Sequence, residues 1–120
     1  MDLRRGMVIV SFKYRGKKLT IKAREVGFFG RIIGLMFASQ EEAEVLLFRF
    51  PIQTKTSIHS FFVFFPFIAV WLNEKNRVID VKLVKPFQFS ISPKKDFTKL
   101  IEIPVNKNHS KIVKIVSRRS

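Results

Sequence analysis

The sequence predicts a mainly β fold, a single compact β-sandwich or barrel of about eight short strands with at most one or two short helical turns. Apolar residues alternate with polar ones along most of the chain, and the apolar segments are short and separated by Gly, Pro and Asn turn signals. With 120 residues, 47% of them hydrophobic and none of them Cys, the chain can fill one core without disulfides. We therefore expect one β domain over residues 7–116, with flexible ends at 1–6 and 117–120.

The first expected element is a β-hairpin over residues 8–26. Two alternating runs flank Gly16, a residue that tolerates the positive φ of a tight turn. A turn centred on Gly16 and Lys17 would place Phe12 opposite Ile21. In that register one face of the hairpin is apolar and the other is largely cationic, whereas a slip of one residue would mix the two faces.

Beyond the hairpin, turns and short strands alternate. Glycines predict turns over Gly27–Phe37, and the capping-box spacing of Ser39 and Glu42 predicts one or two helical turns near Gln40–Glu44. Continuously apolar residues predict strand on both sides of Pro66. The expected strands are Val45–Phe50 (ended by Pro51), Phe61–Phe65, Phe67–Leu72, Arg77–Val84, Phe87–Ile91, Lys99–Ile103 and Lys111–Val116. The side chains expected to be mostly buried are Phe62, Phe64, Val70, Leu72, Ile79, Val81 and Leu83.

An ordered set of short motifs covers roughly residues 19–116. The set is Gly34-Leu35-Met36-Phe37, Leu47-Phe48-Arg49-Phe50, the Phe-rich segment with Pro66, Trp71-Leu72-Asn73-Glu74, Arg77-Val78-Ile79, Val84-Lys85-Pro86 and Leu100-Ile101-Glu102-Ile103-Pro104. In order and spacing it resembles the domain-of-unknown-function 192 family. The resemblance implies a compact mainly β domain without an established reaction. The chain departs from the family pattern after Pro66, where Phe67 and Ile68 replace Ile-Asp, and Val63 stands where the family favours Met, so no catalytic residue is carried over.

The composition argues against most catalytic chemistry. Without Cys there is no thiol nucleophile or zinc ribbon. His59 and His109 lie far apart, and a joint site with Asp80, Asp96 or Glu102 has no supporting spacing. Glu42 is interpreted as a capping residue, and Glu41 and Glu44 as part of a solvated face. The glycines lack the spacing of nucleotide-binding motifs. An enzyme is therefore the least favoured class, and we expect no cofactor and no metal.

The longest apolar run is shorter than the roughly 20 residues of a membrane-spanning helix. We therefore expect this run to lie in the hydrophobic core. Together with the missing signal peptide, it predicts a cytoplasmic protein.

Charge is the feature that points to a partner. The chain has 23 Lys+Arg against 9 Asp+Glu, a formal net charge of +14. In the predicted register the cationic face of the hairpin carries Lys13, Arg15, Lys18, Lys22 and Arg24. This face predicts non-specific binding of nucleic acid or another polyanion, and the alternative is a charged surface that only confers solubility.

A second hypothesis is a small-molecule or carbohydrate-binding module with a pocket beside the Phe-rich strand. Exposed Phe side chains there could instead favour a homodimer over a monomer.

Overall fold

A computed structural model describes residues 6–27, 35, 38–60 and 62–117, and it confirms the mainly β fold. Six strands form a single sheet in the order β1-β2-β3-β6-β4-β5, and one helix follows. The elements are β1 (Met7–Tyr14), β2 (Lys17–Glu25), β3 (Leu46–Thr54), β4 (Phe67–Leu72), β5 (Val78–Val84), β6 (Phe97–Pro104), a short 3-10 turn (Lys107–His109) and α1 (Ser110–Ser117). The terminal segments 1–5 and 118–120, most of the Gly27–Phe37 turn region and Phe61 lie outside the described residues.

The sheet curls into a half-barrel, so that its central strands are buried on both faces. The buried side chains form two hydrophobic clusters. We call the cluster that contains Phe12 of the hairpin and Val116 of α1 the inner core. The cluster that contains Phe65 and Trp71 is the outer core. Every residue of β4 is buried, which explains why this strand is continuously apolar rather than alternating. The curl brings the two edge strands together, and the backbone N–H of Lys13 donates to the Asn76 carbonyl oxygen at 3.0 Å.

The hairpin has the predicted faces but a different turn. Its two turn residues are Arg15 and Gly16, with φ of 52° and 79°, and Phe12 lies opposite Leu19 instead of Ile21. Two central residues with positive φ make a type I′ turn, whose twist matches that of the flanking strands. The expected Gly16-Lys17 turn was therefore wrong. The register differs by two residues, so every side chain keeps its predicted face.

The C-terminal segment is a helix, and the predicted strand Lys111–Val116 was wrong. The β-branched content favoured a strand, but the apolar residues Ile112, Val113 and Val116 are also spaced to share one helix face. Ile112 and Val113 pack against the inner core, and Val116 is buried in it. A cap precedes the helix, because the Asn106 side chain accepts a hydrogen bond from the backbone N–H of His109 at 3.2 Å.

Four other predictions differ as well. Phe87–Ile91 is not a strand, because its pairing among the described residues is the isolated bridge between Ile91 and Ile58. The segment 62–65 is a turn, and residues 40–42 form a turn without a helix. Strand β3 does not end at Pro51 but continues to Thr54 with an irregular register, as expected where proline removes a backbone N–H donor.

Burial follows the prediction in β4 and departs from it elsewhere. Val70 and Leu72 are buried as expected, and Ile79 and Val81 are half-buried. Phe62, Phe64 and Leu83 are exposed, and Val63, Phe65 and Asp80 are buried. The buried Asp80 carboxylate accepts the backbone N–H groups of Val81 and Lys94, both at 2.9 Å, so its hydrogen bonds offset the cost of burial.

Candidate functional site

Three lysines of the hairpin share one exposed face. Lys13 and Lys18 lie directly opposite each other on β1 and β2, and Lys22 lies further along the same face opposite Ile9. Between these pairs the hydroxyls of Ser11 and Thr20 are hydrogen-bonded at 3.0 Å. The alternation of the strands positions these side chains, because their apolar neighbours point into the inner core.

Closure of the half-barrel adds two further cations to this face. A groove of about 360 Å³ is lined by Lys13, Lys18, Lys75 and Arg77 together with Ser11, Phe12 and Asn76, and none of the described acidic side chains lines it. The turn between β4 and β5 is held by Asn73, whose side-chain oxygen accepts the backbone N–H groups of Lys75 at 2.9 Å and Arg77 at 3.1 Å. We call Lys13, Lys18, Lys22, Lys75 and Arg77 the cationic face.

Lys99 supports the same turn from the sheet. Its Nζ donates to the side-chain oxygen of Asn76 at 2.5 Å, and the Asn76 amide donates to the Ser11 carbonyl oxygen at 3.1 Å. Burial lowers the pKa of Lys99, as does the nearby Arg49, while Glu74 opposes this change. The groove wall is thus tied to both β1 and β6 by side-chain hydrogen bonds.

Two of the five predicted site residues, Arg15 and Arg24, do not belong to the cationic face. Arg15 lies in the turn, with its guanidinium carbon 5.2 Å from the ring centroid of Tyr14. Arg24 forms an ion pair with Glu44, with nitrogen–oxygen distances of 3.1, 3.2 and 3.3 Å. The predicted cationic surface therefore meets a carboxylate at Arg24, because the turn before β3 brings Glu44 to it.

Sequence reasoning missed Lys75 and Arg77. They lie far from the hairpin in the chain, and no local pattern links them to it. Their position depends on the closure between Lys13 and Asn76, which is a tertiary contact.

A second groove of about 520 Å³ runs between β2 and α1. Its apolar lining includes Leu19, Ile21 and Ile112, and its charged lining consists of Lys18, Lys22, Lys111 and Glu44. Within the described residues β2 pairs with β3 only at Arg24 and Glu25, so the start of β2 forms one wall of this groove. The groove combines apolar side chains with three lysines and one carboxylate.

The histidines do not form a joint site among the described residues. The Nε2 atom of His109 lies 3.0 Å from the Ala43 carbonyl oxygen, so this ring connects the 3-10 turn to the segment before β3. His59 lies exposed in the loop that follows β3. No cluster of three His, Asp or Glu side chains that could hold a metal occurs in the described part of the chain.

Glu102 is the buried acid of β6. It lies between Leu46 of β3 and Ala69 of β4, and burial raises the pKa of its carboxyl to about 8. A carboxyl with this pKa is mostly protonated and uncharged at neutral pH. It lines none of the grooves described above, so we assign it to the core and not to the cationic face.

The chain has relatives of known sequence. It is 31% identical over 93 residues to a UPF0127 protein of Pyrococcus furiosus, an alignment that covers 75% of this chain and 78% of the relative. The chain belongs to the UPF0127 family. A second UPF0127 protein, from Pyrococcus horikoshii, is 37% identical over 79 residues, covering 64% of this chain and 66% of that one. The family is uncharacterised, as the sequence resemblance implied, although it carries a different name from the one expected.

The comparisons with solved structures show a similarity of fold alone. No family model matches the chain. A protein of unknown function from Novosphingobium aromaticivorans superimposes with a TM-score of 0.71 at 13% identity, covering 88% of this chain and 78% of that one. A protein described as a "putative transcription regulator" from Sinorhizobium meliloti superimposes with a TM-score of 0.70 at 13% identity, covering 87% and 83%. This UPF0127 chain therefore shares its fold with distant proteins. None of the helices in the described part of the chain could cross a membrane.

Proposed function

We propose that this domain binds polyanions, such as a nucleic acid backbone, through the cationic face. The observation that carries the proposal is the groove lined by Lys13, Lys18, Lys75 and Arg77, to which the described part of the chain contributes no acidic side chain. Phosphate groups bind such a surface because each contact releases counterions from the polyanion.

The opposed pair Lys13 and Lys18 supports this proposal. Like charges directly opposite each other across two strands destabilise a hairpin. An anion between them would remove that repulsion. Binding there should therefore stabilise the folded domain more than binding to an evenly charged surface would.

The binding is expected to be independent of base sequence. Phe12 is buried in the inner core, so its ring is not presented for stacking on bases. Exposed lysines that contact phosphates position a ligand without reading its sequence.

Duplex DNA titrated at several salt concentrations tests the proposal. Replacing Lys13, Lys18 and Lys22 together by Gln should weaken binding. It should also make the dependence of log K on log salt shallower by roughly two to three, for three lost contacts at about 0.9 each. A matched control replaces the exposed Lys85, Lys94 and Lys95 by Gln, which removes the same charge elsewhere.

If the two triple variants lose affinity equally, net charge alone explains binding and the proposed face is wrong. If the parent binds no better than an unrelated protein of equal charge, the function itself is wrong.

Small-molecule binding is the second candidate, and the groove between β2 and α1 favours it. Phe65 and Phe67 are fully buried in the outer core, so the predicted pocket beside the Phe-rich strand is not the basis for this candidate. The groove has an apolar lining and three lysines, and its one carboxylate, Glu44, is paired with Arg24, so the lining suits an anion with an aliphatic chain. Thermal unfolding with alkyl carboxylates of increasing length tests it, since a chain-length-dependent rise in Tm is expected.

A further inference from the structure

Four exposed phenylalanines lie on two loops that are joined to each other. Phe64 and Phe89 are 61% and 71% exposed, and Phe62 and Phe87 are about half exposed. The ring of Phe87 contacts that of Phe64 with centroids 5.3 Å apart and that of Phe62 at 6.1 Å, both edge to face. We call these four residues the aromatic patch. Phe62, Phe64 and Phe87 form contiguous exposed apolar surface, and such surface marks an interaction site in a small protein.

The two loops are held together by Ser60, which is fully buried. Its hydroxyl donates to the Lys85 carbonyl oxygen and accepts the Gln88 N–H, both at 2.6 Å. Its carbonyl oxygen accepts the N–H of Phe87 at 2.9 Å, and its own N–H donates to the Gln88 carbonyl oxygen at 2.9 Å. A buried hydrogen-bond network therefore keeps the loops, and the rings that they carry, in fixed relative positions.

The backbone that presents the rings is strained at two positions. Phe62 and Phe87 have φ of 57° and 59°, in the left-handed region that costs a bulky side chain energy. Both strained residues belong to the exposed patch, and neither ring is used to fill the core. Strain combined with exposed apolar surface opposes stability, so it points to a role in binding.

Lysines predominate in the two segments that carry the patch. Residues 55–65 and 85–95 contain four lysines and one histidine but no Asp or Glu, and the exposed Asp96 follows directly. These lysines are Lys55, Lys85, Lys94 and Lys95, and each is exposed. Exposed Phe side chains together with lysine suit the interface of an anionic membrane, where the rings enter the acyl boundary and the ammonium groups stay among the headgroups.

We propose that the aromatic patch docks this domain onto anionic lipid bilayers. A second copy of the chain is a poorer occupant, because two loops of like charge on chains of +14 repel each other. Protein interfaces are enriched in aromatic residues and Arg and depleted in Lys, so the Phe side chains fit either occupant, whereas the four lysines and the lack of Arg in these loops favour lipid. The lipid surface is therefore the occupant that the charge and the lysine content favour.

Co-sedimentation with vesicles tests this proposal. The parent protein should bind vesicles of equal parts phosphatidylcholine and phosphatidylglycerol, and should bind pure phosphatidylcholine far less. Replacing Phe64 and Phe89 together by Ser should reduce binding roughly tenfold or more, because two rings no longer leave water. The matched control replaces Ile9 and Leu83 by Ser; these are 70% and 56% exposed, and Leu83 lines a groove with Tyr14 and Ser117, which belong to neither loop.

A second variant reports insertion directly. The indole of a Phe64→Trp protein should be quenched by anionic lipids brominated in their acyl chains, whereas the buried Trp71 of the parent should not be. Duplex DNA binding separates this proposal from the polyanion proposal, because Phe64→Ser with Phe89→Ser should leave it unchanged.

Three results would overturn membrane docking. The parent could fail to bind anionic vesicles, the Phe variant could bind them as well as the parent does, or the indole at position 64 could stay unquenched. Loss of self-association in the Phe variant without vesicle binding by the parent would assign the patch to a dimer interface instead.

Discussion

Lys13 and Lys18 face each other as direct cross-strand partners next to the turn of the β1–β2 hairpin. Because both side chains are exposed and of like charge, their repulsion destabilises the hairpin unless an anion lies between them. This pair connects the stability of the fold to the proposed function.

The first prediction is that Lys18→Gln stabilises the free protein. Removing one charge of the pair should raise the free energy of unfolding by about 0.2–1 kcal/mol at low salt, and less at high salt. Thermal unfolding at two salt concentrations measures this. Lys17→Gln is the control, since Lys17 lies opposite Tyr14 instead of a cation. An equal gain in both variants would contradict the pairwise explanation.

The second prediction concerns Ser60. Ser60→Ala removes a hydroxyl that both donates and accepts in a buried site, and it leaves the Gln88 N–H and the Lys85 carbonyl without this partner. The free energy of unfolding should fall by about 1–3 kcal/mol. Urea denaturation measures the loss, with the exposed Ser90→Ala as control. Unchanged stability would show that Ser60 does not hold the two loops together.

The third prediction is a pH dependence due to Glu102. Its pKa is raised from 4.5 to about 8 by burial, so below pH 4.5 the carboxyl is protonated in both the folded and unfolded states. Above pH 4.5 the unfolded state ionises first, and stability is lost as pH rises until the folded carboxyl also ionises near pH 8. Glu102→Gln should remove this decline.

Urea denaturation of the parent and of Glu102→Gln at pH 5, 7 and 9 checks this prediction. We expect the parent to lose stability across this series by more than the variant does, and the curves to diverge most at pH 9. Parallel curves would show that Glu102 ionises normally in the folded protein.

The fourth prediction concerns the hairpin turn. Arg15 has φ of 52° in a type I′ turn, a conformation that Asn adopts more readily. Arg15→Asn should therefore raise the free energy of unfolding by about 0.5 kcal/mol, after loss of the contact between Arg15 and Tyr14. A lower Tm would show that this cation–π contact outweighs the strain of the turn.

Local patterns determined the parts of the fold that depend on neighbours in the chain. The alternation around Gly16 predicted a hairpin with one apolar and one cationic face, and both faces are present even though the turn lies one residue earlier. The faces survive because the register differs by an even number of residues. Local pattern also predicted β4, because a strand that is buried on both faces has apolar residues at every position.

The C-terminal segment shows where local pattern fails. The apolar residues of Lys111–Val116 fit either a strand or a helix, and the packing of Ile112 and Val113 on the inner core selects the helix.

In the Phe-rich segment, every residue from Phe62 to Phe65 is apolar, so the sequence could not distinguish the exposed Phe62 and Phe64 from the buried Val63 and Phe65.

The sequence by itself determined the fold class, the two faces of the hairpin and the positive sign of the net charge, because these depend on composition and on a period of two. Only the tertiary structure decided which charges act together. Closure of the sheet between Lys13 and Asn76 brings Lys75 and Arg77 to the hairpin lysines, and the turn before β3 brings Glu44 to Arg24. Contacts between residues this far apart in the chain follow from how the whole sheet curls, which no local pattern specifies.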